Sequence, residues 1–511
     1  MKRNNIIKSI LFTGTLVLGV SCTNLNEQIL DGAPLGSSAG GTIDTKGFLV
    51  QAYQGLRGFE TQGQMFTMNE MSTDAMVGPT RGGDWDDNAK WRQIHTHTWA
   101  PDHSEIINAW NALLSQVYNC NLVIDNGSGQ DVAEARFLRA FYYYNVVDLF
   151  GQAPYREKGS LLTADPKVWT RTQATEFCIS ELEAVVGSLP TRTAGDASIA
   201  NQDAAHFLLA KLYLNKAVFE ATTPGGPYTF AAADMNKVVT NVDAISSSLA
   251  PDYWDNFKPT NNTSPEILFS GKNIEGGAGG GISYHWFMGS HYNQTPSGWN
   301  GFATLAEYYN KFDPADRRIH NADPGIIQAF GNPAGFQIGQ MYGPGGTTPL
   351  LDRIKTTANP NGQPLVYTKA ITLITSGATL ESAGVRPEKY IPDAVNLNNP
   401  DNDYVFMRYS DALLMKAEAV VRGGSGSVGT IMTDIAARAG QTASPATLDG
   451  IYLERAKELW YEGWRRNDMI RFGTFLNARE LKPYVSDKKY LLFSIPADAL
   501  FNSNLKQNPG Y

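Results

Sequence analysis

The chain has 511 residues, 42% of them hydrophobic and 11% aromatic, and a formal net charge of −8. That length supports a large core or two lobes. An acidic balance without a basic block argues against nucleic acid and anionic lipid headgroups as partners.

Lys2, Arg3 and Lys8 form a positive start, and 10–20 is an apolar stretch too short to span a bilayer as a lone helix. Leu18-Gly19-Val20-Ser21-Cys22 has the small residues that lipoprotein signal peptidase needs before a Cys. Residues 1–21 therefore read as a lipoprotein signal peptide and Cys22 as the lipidated first residue of the mature chain. The competing reading is an ordinary signal peptide with a chance Cys. Each buried acyl methylene adds about 0.8 kcal/mol of anchoring. Loss of the leader's three positive charges takes the net charge from −8 to −11. No later segment has the roughly eighteen consecutive apolar residues of a membrane span. Residues 22–45, polar and rich in Gly, Ser and Asn, read as a flexible tether.

From 46 to 249 the pattern is helical. A helix is predicted over 104–125 (Ile107, Trp110, Leu114, Val117), then an Asn-Gly-Ser-Gly break. Asp131 with Glu134 reads as a capping box opening a helix that reaches Phe150 and stops at Gly151. Helices over 173–189 and 202–220 form a second pair, and 230–249 adds another. The predicted fold is mainly α, a tetratricopeptide-like helical-repeat scaffold with little β, although no strict repeat of about 34 residues recurs. Cys120 and Cys178 lie on apolar helix faces and read as buried thiols rather than a disulfide.

The region 250–511 begins with a large loop-rich insertion, 250–405, dense in Gly, Pro and Asn, of the kind usually kept for function. Helical patterning returns over 409–421 and 448–466, with 423–429 as a flexible joint.

Catalytic motifs are wanting. Gly36-Ser37-Ser38-Ala39-Gly40 matches a nucleophile elbow but lies in the tether, with no strand before it or helix after it. The glycines at 276–281 lack a strand-turn-helix setting. Asp84, Asp86 and Asn88 imitate a calcium loop, yet Ala89 and His95 occupy the positions that need Gly and Glu. No cofactor is called for, and a structural calcium is not predictable. His95, His97 and His103 read as solvated loop histidines rather than a metal cluster. Glu454, Glu458 and Glu462 share one helix face and read as an ion network neutralised by Arg455, Arg465, Arg466 and Arg471.

Aromatics remain. Trp85, Trp91 and Trp99 lie in a polar stretch, and Tyr284, Trp286, Tyr292 and Trp299 in the Gly-rich region. A ring exposed on a loop offers a flat apolar face to a sugar, and Asp, Asn or Arg beside it bonds hydroxyls. The alternative is that each ring anchors its own loop to the core.

Several runs carry a resemblance over nearly the whole chain. They are Ala133-Glu134-Ala135-Arg136-Phe137-Leu138-Arg139-Ala140-Phe141-Tyr142-Tyr143, Leu149-Phe150-Gly151-Gln152-Ala153-Pro154, and Asn262-Thr263-Ser264-Pro265-Glu266-Ile267-Leu268-Phe269. Arg408-Tyr409-Ser410-Asp411-Ala412-Leu413-Leu414-Met415-Lys416-Ala417-Glu418-Ala419 follows, then Glu454-Arg455-Ala456-Lys457-Glu458-Leu459. Glu462-Gly463-Trp464-Arg465-Arg466-Asn467-Asp468-Met469-Ile470-Arg471-Phe472-Gly473 and the closing Gln507-Asn508-Pro509-Gly510-Tyr511 complete the set. In order, behind a lipoprotein leader, they resemble the SusD/RagB family of surface lipoproteins. Ala436, Thr433 and Ser503 depart from its usual pattern at structural positions. The resemblance implies a non-catalytic lipoprotein on the extracellular face of a Bacteroidetes outer membrane. Such a protein passes oligosaccharide to a SusC-like TonB-dependent transporter. A peptide ligand is the alternative, and a surface glycosidase a remoter one. Met71-Ser72-Thr73-Asp74 and Pro79-Thr80-Arg81-Gly82-Gly83-Asp84-Trp85 are similar to a ligand-facing segment in some members. The expected ligand-binding residues are Asp74, Arg81, Asp84, Trp85, Trp91, Trp286 and Tyr292.

Overall fold

A long helix whose C-terminal half is buried on every side organises the structure. In this computed structural model, which describes residues 43–160, 165–273, 281–377, 380–501 and 503–511, the segment around Tyr142, Tyr143 and Tyr144 is at most 2% exposed. A helix apolar all round needs neighbours on all faces. The helices before it are α1 (Thr45–Gln54), α2 (Gln64–Glu70), α3 (Lys90–Thr96) and α4 (Ser104–Asn126). The buried helix itself is α5 (Gly129–Phe150), and α6 (Arg171–Val185), α7 (Gln202–Phe219) and α8 (Ala232–Asp243) follow it. Each of α4 to α8 packs on the next, and α1 lies against α4 and α5. Further on come the short α9 (Tyr284–Phe287), α10 (Ala306–Tyr309) and α11 (Pro324–Phe330), then α12 (Tyr409–Val421), α13 (Ile431–Arg438), α14 (Leu448–Glu458) and α15 (Arg465–Arg471). Because α8 packs on α12 and α12 on α14, the helical stack continues past the insertion. The fold is mainly α and tetratricopeptide-like. No helix among the described residues is long and apolar enough to cross a membrane.

Local signals explain most element ends. Gly151 closes α5 in the left-handed region, φ 75°, where a side chain would also strike Leu492. The capping box expected at Asp131 and Glu134 is absent. Ser128 stands at the cap without a side-chain bond, and Glu134 instead accepts the Tyr53 hydroxyl and the Gln130 amide, both at 2.7 Å. The reciprocal box appears one helix later, between Thr170 and Gln173 at the start of α6. The single helix expected over 448–466 is two, because Tyr461 (φ 58°) and Gly463 (φ 79°) turn the chain between α14 and α15. That turn aims Glu462 back at Arg408 and Lys389. The stretch after 423–429 forms α13, which sequence patterning did not reveal.

Cys120 and Cys178 are buried free thiols, and burial pushes Cys120 up to about 12. Glu454, Glu458 and Glu462 do belong to a buried ion network, but with other partners than expected. Arg318 holds Glu454 at 2.5 Å, Arg408 holds Glu458 at 2.9 Å and Glu462 at 2.7 Å, and Arg438 joins Glu458 to Glu266. The four arginines expected there pair elsewhere: Arg455 with Asp411 and Asp468, Arg465 with Asp74, Arg466 with Asp148, Arg471 with Glu418.

Residues Asp44–Tyr511 form one unit. Short antiparallel pairings run within the insertion and from it to other segments: Met76–Val77 with Ala303–Thr304, Arg386–Glu388 with Ala334–Gln337, and Ile267–Gly271 with Tyr404–Arg408. A small apolar cluster of Val77, Ala303, Leu305, Ile371, Leu380 and Ala383 joins the Met76–Val77 strand to two segments of the insertion. Cys22 and 36–40 lie outside the described residues, as do 274–280.

Candidate functional site

Arg81 builds the site although its guanidinium is buried. Its Nε donates to Gly301 O at 2.8 Å, and its Nη1 to Ala383 O at 3.1 Å and to Leu380 O. Its backbone pairs with Asp84 at 2.9 and 3.0 Å, closing a turn whose Gly82 sits at φ 64°. That turn carries Asp84 and Trp85 outward. The Trp85 indole packs on Phe302 with centroids 4.9 Å apart, and a Cβ on Gly301 would stand 2.4 Å from it. Its Nε1 donates to Trp299 O at 2.8 Å. Trp299, 37% exposed, lies 6.5 Å from Trp85 and rests on Tyr284 and Phe287 at 5.2 and 5.5 Å. Two indoles therefore form a shelf, Trp85 half-buried and Trp299 open.

Beside the shelf is a cavity of about 280 Å³ walled by Arg81, Asp84, Tyr292, Asn300, Arg353 and Glu381, among others. The Tyr292 hydroxyl donates to Asp84, and the Arg353 guanidinium stacks 3.8 Å over the Tyr292 ring. Burial and the Asp84 carboxylate push the Tyr292 phenol well up. Burial, with Arg386 and Arg353 nearby, pushes the His291 imidazole down to about 3, so it is neutral at pH 7. Its Nδ1 accepts from Asn293 N at 3.1 Å, which makes Nε2 the donor to Glu381 Oε1 at 2.7 Å. Asn300, 1% exposed and at φ 53°, has both amide atoms unpartnered. Buried amides are ordinarily satisfied, so this one marks a place for a ligand or water.

The sequence-predicted residues divide. Asp84, Trp85, Tyr292 and Arg81 come together. Asp74 does not reach them: it is 6% exposed and gripped by Arg465 at 2.7 and 2.8 Å, with Lys311 at 3.4 Å. Burial raises its pKa, but Arg465 outweighs burial and holds the carboxyl well below the usual range. Trp91, 3% exposed, lies under the shelf and donates to Asp87 at 2.6 Å. Trp286 is fully buried. Neither offers a ring face to solvent, because each anchors its own loop. Trp99 does the same, donating to the Tyr511 hydroxyl at 2.7 Å.

The histidines are not solvated. His95, His97 and His103 are at most 5% exposed, and each bonds a backbone carbonyl, of Met76, Ser72 and Lys90 respectively. Among the described residues no three His, Cys, Asp or Glu stand together as a metal group. Asn300, Arg353, Glu381 and His291 were missed. Asn300, next to Trp299, and His291, next to Tyr292, had neighbours that pointed to them; the 350s and 380s carry no motif.

Two family descriptions match in succession: "Starch-binding associating with outer membrane" over 31–214 and "SusD family" over 240–491. The starch-binding protein SusD of Bacteroides thetaiotaomicron is 25% identical, spanning 94% of this chain and 95% of that protein. The SusD-like protein P25 of Formosa agariphila is 25% identical over 73% of this chain and 71% of its own length. Among solved structures, a laminarin-binding SusD-like protein superposes with a TM-score of 0.68 at 21% identity, over 91% of this chain and 99% of the other. Surface glycan-binding protein A from Bacteroides thetaiotaomicron, solved with laminarihexaose, gives 0.64 at 21% identity, over 91% and 98%.

Proposed function

The chain belongs to the SusD family, and from that premise we propose that it is a glycan-binding lipoprotein anchored through Cys22 to the outer face of the outer membrane. It captures oligosaccharide and passes it to a SusC-like TonB-dependent transporter without cleaving it. The observation that carries this reading is the Trp85–Trp299 shelf beside a polar cavity. The shelf gives the apolar face of a sugar ring a surface, and the cavity gives its hydroxyls partners. The similarity to starch-binding and laminarin-binding proteins and to a family associated with the outer membrane supports it. Glu381 and Asp84 are both already engaged, by His291 and by Tyr292. That commitment favours holding a ligand over the acid–base work of a glycosidase.

Isothermal titration of the purified protein against plant, microbial and host oligosaccharides tests capture, with reducing-end release measured on the same mixtures. Saturable binding without release is expected. Reducing ends released in proportion to protein would overturn the non-catalytic reading. Binding of peptides with no binding of any glycan would replace the ligand class. Pull-down of a TonB-dependent barrel from detergent-solubilised membranes tests the partner.

A further inference from the structure

Buried positive charge is handled in two ways in this molecule. Arg318, Arg408, Arg455, Arg465, Arg466 and Arg471 each meet a carboxylate at 3.1 Å or closer. Arg81 and Arg386 are as deeply buried, at 5% and 1% exposure, yet among the described residues neither pairs with a carboxylate. Arg81 is bonded only to carbonyls, and so is Arg386, through Glu381 O at 2.9 Å and Gly289 O at 3.4 Å. Arg479 is also held by carbonyls and lies in the field of Asp74, as Arg81 and Arg386 lie in that of Glu381; of the three only Arg81 walls the cavity. Arg81 Nη2 and Arg386 Nε have no partner at all. Leaving a guanidinium buried without a counter-charge is costly.

One oxygen of each neighbouring acid is already engaged. Glu381 Oε1 accepts from His291 Nε2 and from Arg353 N, each at 2.7 Å. Asp84 takes the Tyr292 hydroxyl, and Asp352 takes the N–H groups of Ile354 and Gln363 at 2.9 and 2.7 Å. The donors left unspent at the cavity are Arg81 Nη2, the exposed Arg353 guanidinium and Asn300 Nδ2, with Asn300 Oδ1 an unpartnered acceptor beside them. Burial first, and then the charges of Arg386 and Arg353, depress the His291 imidazole beside the cavity.

We propose that this cavity receives the anionic group of an acidic sugar, a carboxylate or a sulfate ester, on a glycan that lies across Trp85 and Trp299. The inference rests on the glycan-binding reading above. At about 280 Å³ the cavity is at the small end of ligand pockets, as suits one sugar unit rather than a chain. A carboxylate or sulfate would accept from Arg353 and Arg81 as a charge-assisted pair, with the Asn300 Nδ2–H beside it.

The test is titration of the purified protein with matched pairs: oligogalacturonides against their methyl esters, and sulfated against desulfated galactan oligosaccharides, with neutral gluco-oligosaccharides alongside. The charged member of one pair is expected to bind at least tenfold tighter, with a margin that narrows as salt rises. Which pair shows the preference tells carboxylate from sulfate. Arg353→Gln, at an exposed position that leaves the fold intact, should shrink that preference to under threefold. If neutral or esterified oligosaccharides bind as tightly as the charged ones, the acidic-sugar inference falls while the glycan-binding reading stands. If no oligosaccharide of any kind binds, both fall. A preference unchanged in Arg353→Gln would also overturn the assignment.

Discussion

Trp85 and Trp299 form one shelf but are held differently, and truncating each separates binding from folding. Trp299→Ala removes a ring 37% exposed that rests on Tyr284 and Phe287, while its carbonyl and backbone stay in place. Stability should fall by less than about 1 kcal/mol, as for one exposed aromatic pair. Trp85→Ala also loses the Nε1–H bond to Trp299 O, the contact with Phe302 at 4.9 Å and the packing on Gly301. A net hydrogen bond of about 1 kcal/mol and an aromatic contact of about 1 kcal/mol give a loss near 2 kcal/mol. That is short of the roughly 3–5 kcal/mol of a fully buried Trp. If both rings stack on sugar, each substitution should cost about 1–3 kcal/mol of affinity, by analogy with base stacking. That is roughly 5- to 150-fold in Kd. Urea denaturation and isothermal titration on the same preparations give both numbers. The shelf is refuted if Trp299→Ala binds the best oligosaccharide of a panel as tightly as the unaltered chain does.

Asp74→Asn should cost about 3–5 kcal/mol by stranding the buried Arg465, with affinity per folded molecule unchanged; equilibrium denaturation reads it. Because the Asp74 carboxyl is depressed in the fold, its contribution is present above the unfolded value near 4. It is lost as pH falls below that, so the unaltered chain should lose more stability between pH 4 and 2 than Asp74→Asn does. Burial raises Glu388 to about 8, so its carboxyl is protonated at pH 7. A raised acid favours the fold at low pH and loses that advantage as pH climbs from about 4.5 through 8. Glu388→Gln should therefore be near neutral at pH 4 and more stable than the unaltered chain at pH 9, as denaturation midpoints at the two pH values will show. Cys120 and Cys178 should resist a thiol reagent in the native protein and both react in denaturant; an intact disulfide in denaturant would contradict this.

The scaffold was legible because its signals are local. The bounds of α4, α7 and α12 and the end of α5 follow from apolar spacing and from glycine, and they hold whatever the rest of the chain does. Failures came where tertiary demands overrode spacing, as where Glu462 has to face Arg408 and so breaks a helix whose pattern continues through it. The site was only half legible. Trp85, Asp84 and Arg81 sit in one run of sequence, so their kinship was visible. Trp91 and Trp286 look identical to them in composition, and only packing shows that they face inward. Arg353 and Glu381 reach the cavity across more than 200 residues from Asp84, and no motif spans such a distance.

The Arg81 clamp has an evolutionary meaning. It fastens the wall segments at 301, 380 and 383 by their carbonyl oxygens alone, and every amino acid supplies the same oxygen. The clamp is therefore blind to the side chains those segments carry. Neighbouring positions such as Arg353, Asn300 and Glu381 can be exchanged, by drift or by a protein engineer, while the frame that presents them stays fastened. The side chains that line the cavity can change without rebuilding the loops that form it, and Arg81 is the residue that change can least easily replace.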